Sequence, residues 1–301
     1  MTAPLRLLSL ACLALLALPL QAQQAFPTRE AAAEALVAAL GTTAADEARL
    51  RDVLGADWER YIPRGSVERE DVDAFLARYR EQHAFQSPDA SHALLTVGKD
   101  AWSLPVPLAK GADGWKFDLK AGEPEIRARR IGRNEHDALQ AALAYHDAQM
   151  DYAAVDRNGD GVLEYARRFL SSDGQHDGLY WDDADGGGES PLGPLFGDDD
   201  TPDGVWHGYR YRILTAQGPS ARRGAYSYLI GDRMTRGFAL VAWPAKYGDS
   251  GVMSFIVSHD GEVFEKDLGP DGDAQARAMA RFDPDSSWKL ADDAAATAAA
   301  R

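Results

Sequence analysis

The segment from 156 to 164, DRNGDGVLE, carries oxygen-bearing side chains on alternate residues. Calcium binds several hard oxygen ligands around one point, and a D-x-N-x-D-G sequence supplies three side-chain oxygens, a glycine turn and then a backbone carbonyl. Magnesium fits less well, because it demands octahedral geometry. The segment therefore predicts a calcium site. The predicted ligands are Asp156, Asn158, Asp160, the backbone carbonyl of Val162, and Glu164.

This segment departs from an EF-hand loop at the twelfth position, where Arg167 stands in place of the bidentate glutamate. A complete site would need a further carboxylate, from Asp173, Asp177 or the acidic stretch beyond them. The alternative interpretation is a turn that ends a helix, in which Asp and Asn side chains bond to the backbone. We expect a long amphipathic helix before the loop and a short helix after it.

Aromatic and polar side chains are concentrated in two stretches that follow this loop. A few polar groups among aromatic rings are typical of a groove that binds a sugar or a peptide. A sheet and its covering loop bury the same types of residue, and we favour that simpler interpretation. The predicted binding residues are His176, Asp177, Tyr180, Trp181, His207, Tyr209 and Arg210, with Trp206 among them.

Other reactive residues lack the partners that their chemistry needs. Gly248-Asp249-Ser250-Gly251 resembles the serine-protease tetrapeptide, but no flanking protease pattern appears, so a hairpin turn is the better account. The seven histidines include no pair at i,i+4 and no HExxH, which gives a zinc site little support. The sequence also has no P-loop and no glycine-rich dinucleotide motif.

The chain is acidic, with 47 Asp and Glu against 32 Lys and Arg and a net charge of −15. Nucleic acids and anionic lipids repel such a surface, so we expect neither as a partner. Cations and basic partners are favoured, although solubility alone is the simplest explanation of the charge.

Residues 1–22 have the pattern of a secretory signal peptide, with Arg6, an apolar run and a small residue at Ala22. The apolar run continues past Cys12, which argues against a lipoprotein. We therefore expect a periplasmic protein with no membrane span after the signal peptide is removed. Cys12 is the only cysteine, so the mature chain would form no disulfide.

Helix and strand patterns predict two α+β domains. Residues 23–121 should hold three helices and then antiparallel strands, one of them over 102–108 at a sheet edge because of its prolines. Residues 122–290 should hold a long helix, with Pro124 in its first turn, then a long irregular loop over 171–205 and an antiparallel meander. The Ala-rich tail, 291–301, is expected to be disordered.

Several longer stretches carry a family resemblance. They include RRIGRNE, DAQMDYAAVDRNGDGVLEYARRFLSS, HGYRYRILTAQG and GFALVAWPAKYGDSGVMSFIVSHDGEVFEKDLG. On these stretches the chain resembles the exported bacterial family catalogued as domain of unknown function (DUF) 2950, over nearly all of the mature chain. The resemblance implies no activity, because the family has none assigned.

Two looser resemblances concern the fold. Residues 23–121, in which helices are followed by antiparallel strands that end in GWKFD, resemble the NTF2-like, cystatin-like cone. A helix containing NE and then AQxxY, followed by an acidic turn and an antiparallel sheet, resembles the globular part of type IV pilins and pseudopilins. The chain lacks the apolar stem of a pilin, which implies a soluble pilin-like module and not a filament subunit.

These observations favour a non-enzymatic binding or envelope-assembly module in the periplasm, stabilised by Ca²⁺. Its partner would be an envelope protein or a small ligand. The alternative function is a periplasmic hydrolase that uses acidic and aromatic residues of the 171–205 loop. A purely structural component of the envelope is the third interpretation, and the sequence does not specify an oligomeric state.

Overall fold

A computed structural model describes residues 23–182, 188–193 and 205–291. The predicted signal peptide, nearly all of the predicted tail and parts of the predicted 171–205 loop lie outside these residues. The chain divides into two compact units, Met1–Ile126 and Arg127–Arg301. Both contain helices and antiparallel sheets, which confirms the predicted α+β class.

Helices form the first part of the first unit. Thr28 accepts a hydrogen bond from the Ala31 N–H at 3.1 Å and caps the first helix, and Asp46 caps the second through the Arg49 N–H at 3.1 Å. The helices are α1 (Arg29–Leu40), α2 (Glu47–Leu54) and α3 (Arg69–Glu81), with a 3-10 turn at Trp58–Arg60.

The sheet of the first unit is antiparallel. Its strands are β1 (His83–Gln86), β2 (His92–Val97), β3 (Trp102–Ser103), β4 (Leu108–Gly111) and β5 (Gly114–Phe117), in the order β1-β2-β4-β5, with β3 paired to β2. The single strand expected over 102–108 is therefore two strands. Pro105 and Pro107 lie between them, and neither has an N–H to donate to a ladder.

A 35-residue helix, α4 (Leu119–Ala153), follows. The Asp118 carboxylate accepts a bond from the Ala121 N–H at 2.9 Å and caps it. Pro124 lies inside the helix, beyond its first turn, where a proline removes one i→i−4 hydrogen bond. Of the helices in the described ranges, none is both long and apolar enough to cross a membrane.

The second unit is built on a six-stranded antiparallel sheet in the order β15-β14-β13-β12-β7-β6. In chain order the strands of this unit are β6 (Val205–Trp206), β7 (Tyr209–Leu214), β8 (Ala216–Gln217), β9 (Tyr226–Ser227), β10 (Leu229–Ile230), β11 (Arg233–Met234), β12 (Ala239–Pro244), β13 (Met253–Ser258), β14 (Val263–Asp267) and β15 (Lys289–Leu290). Strands β8 and β9 pair with each other, as do β10 and β11. The helix α5 (Gly272–Ala278) lies between β14 and β15 in sequence.

Strand β12 is buried along all six residues, so both of its faces are covered. On one face Trp243 Nε1 donates to Asp273 Oδ1 of α5 at 2.8 Å, and Arg212 of β7 donates to the Ala276 carbonyl at 2.6 Å. Helix α4 contributes Ala142 and Tyr145 to the same core. Helices α4 and α5 therefore both pack against the central strands of the sheet.

The segment from 162 to 170, which follows α4 and the DRNGDG loop, is not helical, so the predicted short helix is wrong. The Ala166 N–H donates to Gln149 Oε1 at 2.9 Å, and Gln149 Nε2 donates to the Ala166 carbonyl at 2.8 Å. The Tyr165 N–H donates to the Met234 carbonyl at 2.8 Å. These bonds to distant residues hold the segment extended.

Candidate functional site

The predicted calcium loop is a turn in which the side chains bond to their own backbone. Asp156 accepts bonds from the Gly159 and Gly161 N–H groups at 2.9 and 2.8 Å, and Asp160 accepts one from Val162 at 3.0 Å. The hydrogen bond from the Gly161 N–H, which has the largest effect, and the one from the Gly159 N–H lower the pKa of Asp156. The carboxylate is therefore ionised at neutral pH.

The side chains of Asn158, Glu164 and Asp160 are also paired. Asn158 Nδ2 donates to Glu164 Oε1 at 2.8 Å, and Arg233 Nη2 lies 2.6 Å from Asp160 Oδ2. Within the described ranges, no three His, Cys, Asp or Glu side chains are grouped so that they could hold a metal ion. The calcium site stays a prediction, and a bound ion would have to compete with the Arg233 guanidinium for Asp160.

The residues predicted from the first aromatic stretch pack against the end of α4. The rings of His176 and Trp181 lie 4.7 Å apart, and Tyr152 donates its hydroxyl to the His176 carbonyl at 2.9 Å. The Arg157 guanidinium lies over both the Tyr152 and the Trp181 rings, at 5.2 and 4.8 Å. Trp181 is buried, so this group of rings and one cation forms part of the core.

Asp177 and Tyr180 hold the same segment in place. The Asp177 carboxylate accepts bonds from the Ser172 N–H at 2.7 Å and from the Ser172 hydroxyl at 3.0 Å, and Arg168 pairs with it at 3.2 Å. The Tyr180 N–H donates to the Phe169 carbonyl at 2.8 Å. These contacts join the two ends of the segment from 168 to 180 and hold it as a closed loop.

The second predicted stretch forms the β6–β7 hairpin. His207 and Gly208 are its two turn residues, with φ of 48° and 74°, which is the positive pair that a type I′ turn requires. His207 Nδ1 lies 3.4 Å from Asp137 Oδ2 on α4. Tyr209 is fully buried and donates to the Met253 carbonyl at 2.8 Å, while Arg210 lies opposite Trp243 in the sheet.

The polar side of α4 binds the turn that contains the GDSG sequence. Asn134 Nδ2 donates to the Ser250 carbonyl at 2.8 Å, and Glu135 Oε1 accepts the Val252 and Met253 N–H groups at 2.8 and 3.0 Å. The Ser250 hydroxyl accepts the Lys246 N–H at 2.9 Å and donates to the Lys246 carbonyl. The serine therefore closes a turn, and the RRIGRNE stretch fixes that turn to the helix.

A cleft of about 150 Å³ lies beside this turn, between the end of β12 and the loop that precedes α5. Tyr247, which is 39% exposed, and Ser254, which is 1% exposed, both line the cleft. The sequence did not indicate this site, because its walls come from three separate segments and are mostly Pro, Gly and aliphatic residues. The lining residues are Pro244, Ala245, Tyr247, Val252, Ser254, Leu268, Gly269, Pro270, Gly272 and Asp273.

Charged groups of the cleft are held by hydrogen bonds. Asp273 accepts bonds from Arg277 Nε at 2.9 Å and from Trp243 Nε1 at 2.8 Å. The bond from Arg277, and then that from Trp243, lowers the pKa of Asp273, so that its carboxylate is ionised at neutral pH. Tyr247 donates its hydroxyl to Asp267 Oδ2 at 3.1 Å, which fixes the ring at the mouth of the cleft.

Comparisons with known proteins identify a family and no activity. No curated protein and no solved structure matches the chain. A family model described as "Protein of unknown function (DUF2950)" matches residues 23–291, which include both units. The match takes in the α4 residues that bind the GDSG turn and all residues of the cleft. The chain belongs to the DUF2950 family.

Proposed function

We propose that this chain is a non-enzymatic binding module of the bacterial envelope and that the cleft beside Tyr247 is its binding site. The cleft carries the proposal, because a concave space, an exposed aromatic ring and an ionised carboxylate lie together there. Binding sites in proteins are concave and combine apolar walls with a few fixed polar groups. The cleft has this composition.

Three candidate nucleophiles or bases make structural hydrogen bonds, which favours binding over catalysis. The Ser250 hydroxyl is bonded to the backbone of Lys246, and the Asp156 and Asp177 carboxylates accept backbone N–H groups. A nucleophile needs an adjacent base, and a general base needs a lone pair within reach of the substrate. These groups instead stabilise turns.

Export and the finer fold assignments belong to the same proposal. The signal-peptide pattern of residues 1–22 supports a periplasmic location. Three helices followed by an antiparallel sheet support an NTF2-like first unit, and a long helix followed by an antiparallel sheet supports a pilin-like second unit. Calcium at the DRNGDG loop would stabilise the second unit, and the spacing of its oxygen-bearing residues supports this part.

The binding proposal is tested by thermal unfolding with four probes: N-acetylglucosamine and blocked acidic, basic and neutral amino acids. A ligand that binds only the folded state raises the Tm. We expect at least one probe to raise the Tm of the wild type. The Ala245→Trp variant, which fills the cleft, should lose this rise.

The matched control is Ala144→Trp, which places the same side chain at an exposed position of α4. It should respond to the probes as the wild type does. An undiminished rise in Ala245→Trp would show that the probe binds outside the cleft, and no rise with any probe would also contradict the proposal. Conversion of a probe into product would favour the periplasmic hydrolase.

A further inference from the structure

We propose that the cleft binds one basic side chain, a lysine or an arginine, that belongs to a partner polypeptide. This inference rests on the proposed binding function and names the chemistry of its ligand. It follows from the size of the cleft, its apolar walls, the exposed Tyr247 ring and the balance of charge around it.

The size of the cleft limits the ligand to a single side chain. Sites for whole small molecules in proteins measure roughly 300–1,000 Å³, whereas this cleft measures about 150 Å³. A free amine buried in so small a space makes few contacts and binds weakly. A side chain that a polypeptide delivers gains further contacts outside the cleft, so a polypeptide is the favoured source.

The walls match the stem of a lysine or arginine side chain. Pro244, Val252, Leu268 and Pro270 give an apolar passage, and the aliphatic part of a long basic side chain packs well against such a surface. Tyr247 lies at the opening with its hydroxyl bonded to Asp267. The face of a tyrosine ring attracts ammonium and guanidinium groups, which favours a cation over a neutral group of the same shape.

Both signs of charge lie near the cleft. Asp267 ends β14, Asp271 lies in the loop that follows and Asp273 lies in α5, while the neighbouring cations are Lys246, Arg210 and Arg277. The net charge of −15 on the whole chain supplies the long-range negative field. An acidic side chain would be repelled, and a basic one would be attracted from a distance.

Hydrogen-bond acceptors are present where the charged group would arrive. Each carboxylate oxygen accepts more than one hydrogen bond, so Asp273 retains acceptor capacity beyond its bonds to Trp243 and Arg277. Ser254, whose side chain carries a hydroxyl, also lines the cleft. An ammonium group has three donors and no acceptor, which suits this set.

The test is an NMR titration of the protein with blocked tripeptides, Ac-Gly-Xaa-Gly-NH₂, in which Xaa is Lys, Arg, norleucine or Glu. Norleucine has nearly the shape of lysine without its charge. We expect saturable shifts at Tyr247 and Ser254 with the Lys or the Arg peptide, with a Kd on the order of 1 mM. Norleucine should bind at least about tenfold more weakly, and Glu should not bind, because the cleft selects a cation.

Two variants test the residues that recognise the charge. Asp273→Asn should weaken the basic peptide about tenfold, because it removes the carboxylate charge and keeps the shape. Its matched control is Asp73→Asn in the first unit, since Asp73 is similarly exposed and also pairs with an arginine four residues away. Tyr247→Ala should weaken binding as well, and Ile230→Ala, at an exposed hairpin tip, should leave it unchanged.

Each outcome bears on the inference. Equal binding of norleucine and lysine would refute recognition of a cation, while the cleft would stand as a binding site. Equal binding of butylamine and the lysine peptide would refute a polypeptide as the source of the ligand. If no peptide shifts Tyr247 or Ser254, the inference is refuted, and the thermal test with N-acetylglucosamine and the neutral and acidic probes separately decides whether the cleft binds anything.

Discussion

Gln149 is completely buried near the end of α4, and its side-chain amide bonds to both backbone groups of Ala166. Its Nε2 also donates to the Tyr145 hydroxyl at 3.0 Å. Buried polar groups are costly unless they are paired, so Gln149 and Ala166 each depend on the other. Gln149, together with the bond between the Tyr165 N–H and the Met234 carbonyl, thereby holds the segment that returns from the DRNGDG loop.

Gln149→Leu should destabilise the protein, because the Ala166 N–H and carbonyl would remain buried without partners. A buried unpaired polar group costs about 1–3 kcal/mol, so the free energy of unfolding should fall by about 3 kcal/mol in urea denaturation. The matched control is Gln140→Leu, at an exposed position of the same helix, where the change should stay within about 0.5 kcal/mol. Equal losses in the two variants would show that the Ala166 bonds contribute nothing.

The residues of the cleft could not be recognised as one site from the sequence. Tyr247 and Asp273 are of types that bind ligands, but 25 other residues separate them in the chain, and nothing in their spacing relates them. His207 differs from these two residues. Its type suggested a ligand site, which stays a prediction, and its φ of 48° places it in a hairpin turn that the sequence pattern did not indicate.

At the scale of elements, capping residues in the sequence were enough to predict α1. Thr28 and Gly41 mark the two ends of this helix in the sequence, and the helix in the structure lies between them. The face of α4 was harder to predict, because its buried side includes the polar Gln149. Apolar periodicity along the helix would instead place Met150 on that side, although Met150 is 48% exposed. The extended segment after the DRNGDG loop depends on bonds to distant residues, which no local pattern encodes.

The DRNGDG loop should respond to calcium if its oxygens gather around an ion. We expect calcium to raise the Tm relative to EDTA, since a ligand at 100 times its Kd stabilises the folded state by about 2.7 kcal/mol. The Asp156→Ala/Asp160→Ala variant should lose this rise. It should also melt lower in EDTA, because Asp156 holds two backbone N–H groups of the turn.

Asp89→Ala is the control for this measurement. Asp89 also accepts backbone N–H bonds, from Ser91 and His92, in an exposed turn of the first unit. Its loss should lower the Tm equally in calcium and in EDTA. Identical melting curves of the wild type in the two conditions would mean that the DRNGDG loop is only a turn.

At the scale of the whole molecule, buried tyrosines are concentrated in the second unit. Tyr145, Tyr209 and Tyr228 are 0% exposed, and burial raises the pKa of each hydroxyl well above its usual range. Burial also raises the pKa of Tyr152 to about 12. The folded state therefore binds the phenolic protons more tightly than the unfolded chain does.

Alkaline pH should unfold the second unit cooperatively. Stability from these tyrosines is complete below the unfolded pKa of about 10 and is lost as the pH rises toward the folded values, by about 1.4 kcal/mol per pH unit for each tyrosine. Tyrosinate absorbance and near-UV circular dichroism should therefore change together between about pH 10 and 12. Complete ionisation of the tyrosines with unchanged dichroism would contradict this expectation.

The first unit draws its core from both ends of its own sequence. The Phe26 N–H donates to the Trp115 carbonyl at 2.9 Å, and Phe26 packs in one core with Leu119 of α4. During synthesis the earliest part of this unit therefore emerges before the residues that complete its core exist. Phe26 lacks these two partners while about 90 residues are added, so a chain that stops short of α4 presents the open side of this core to any chaperone or export factor it meets.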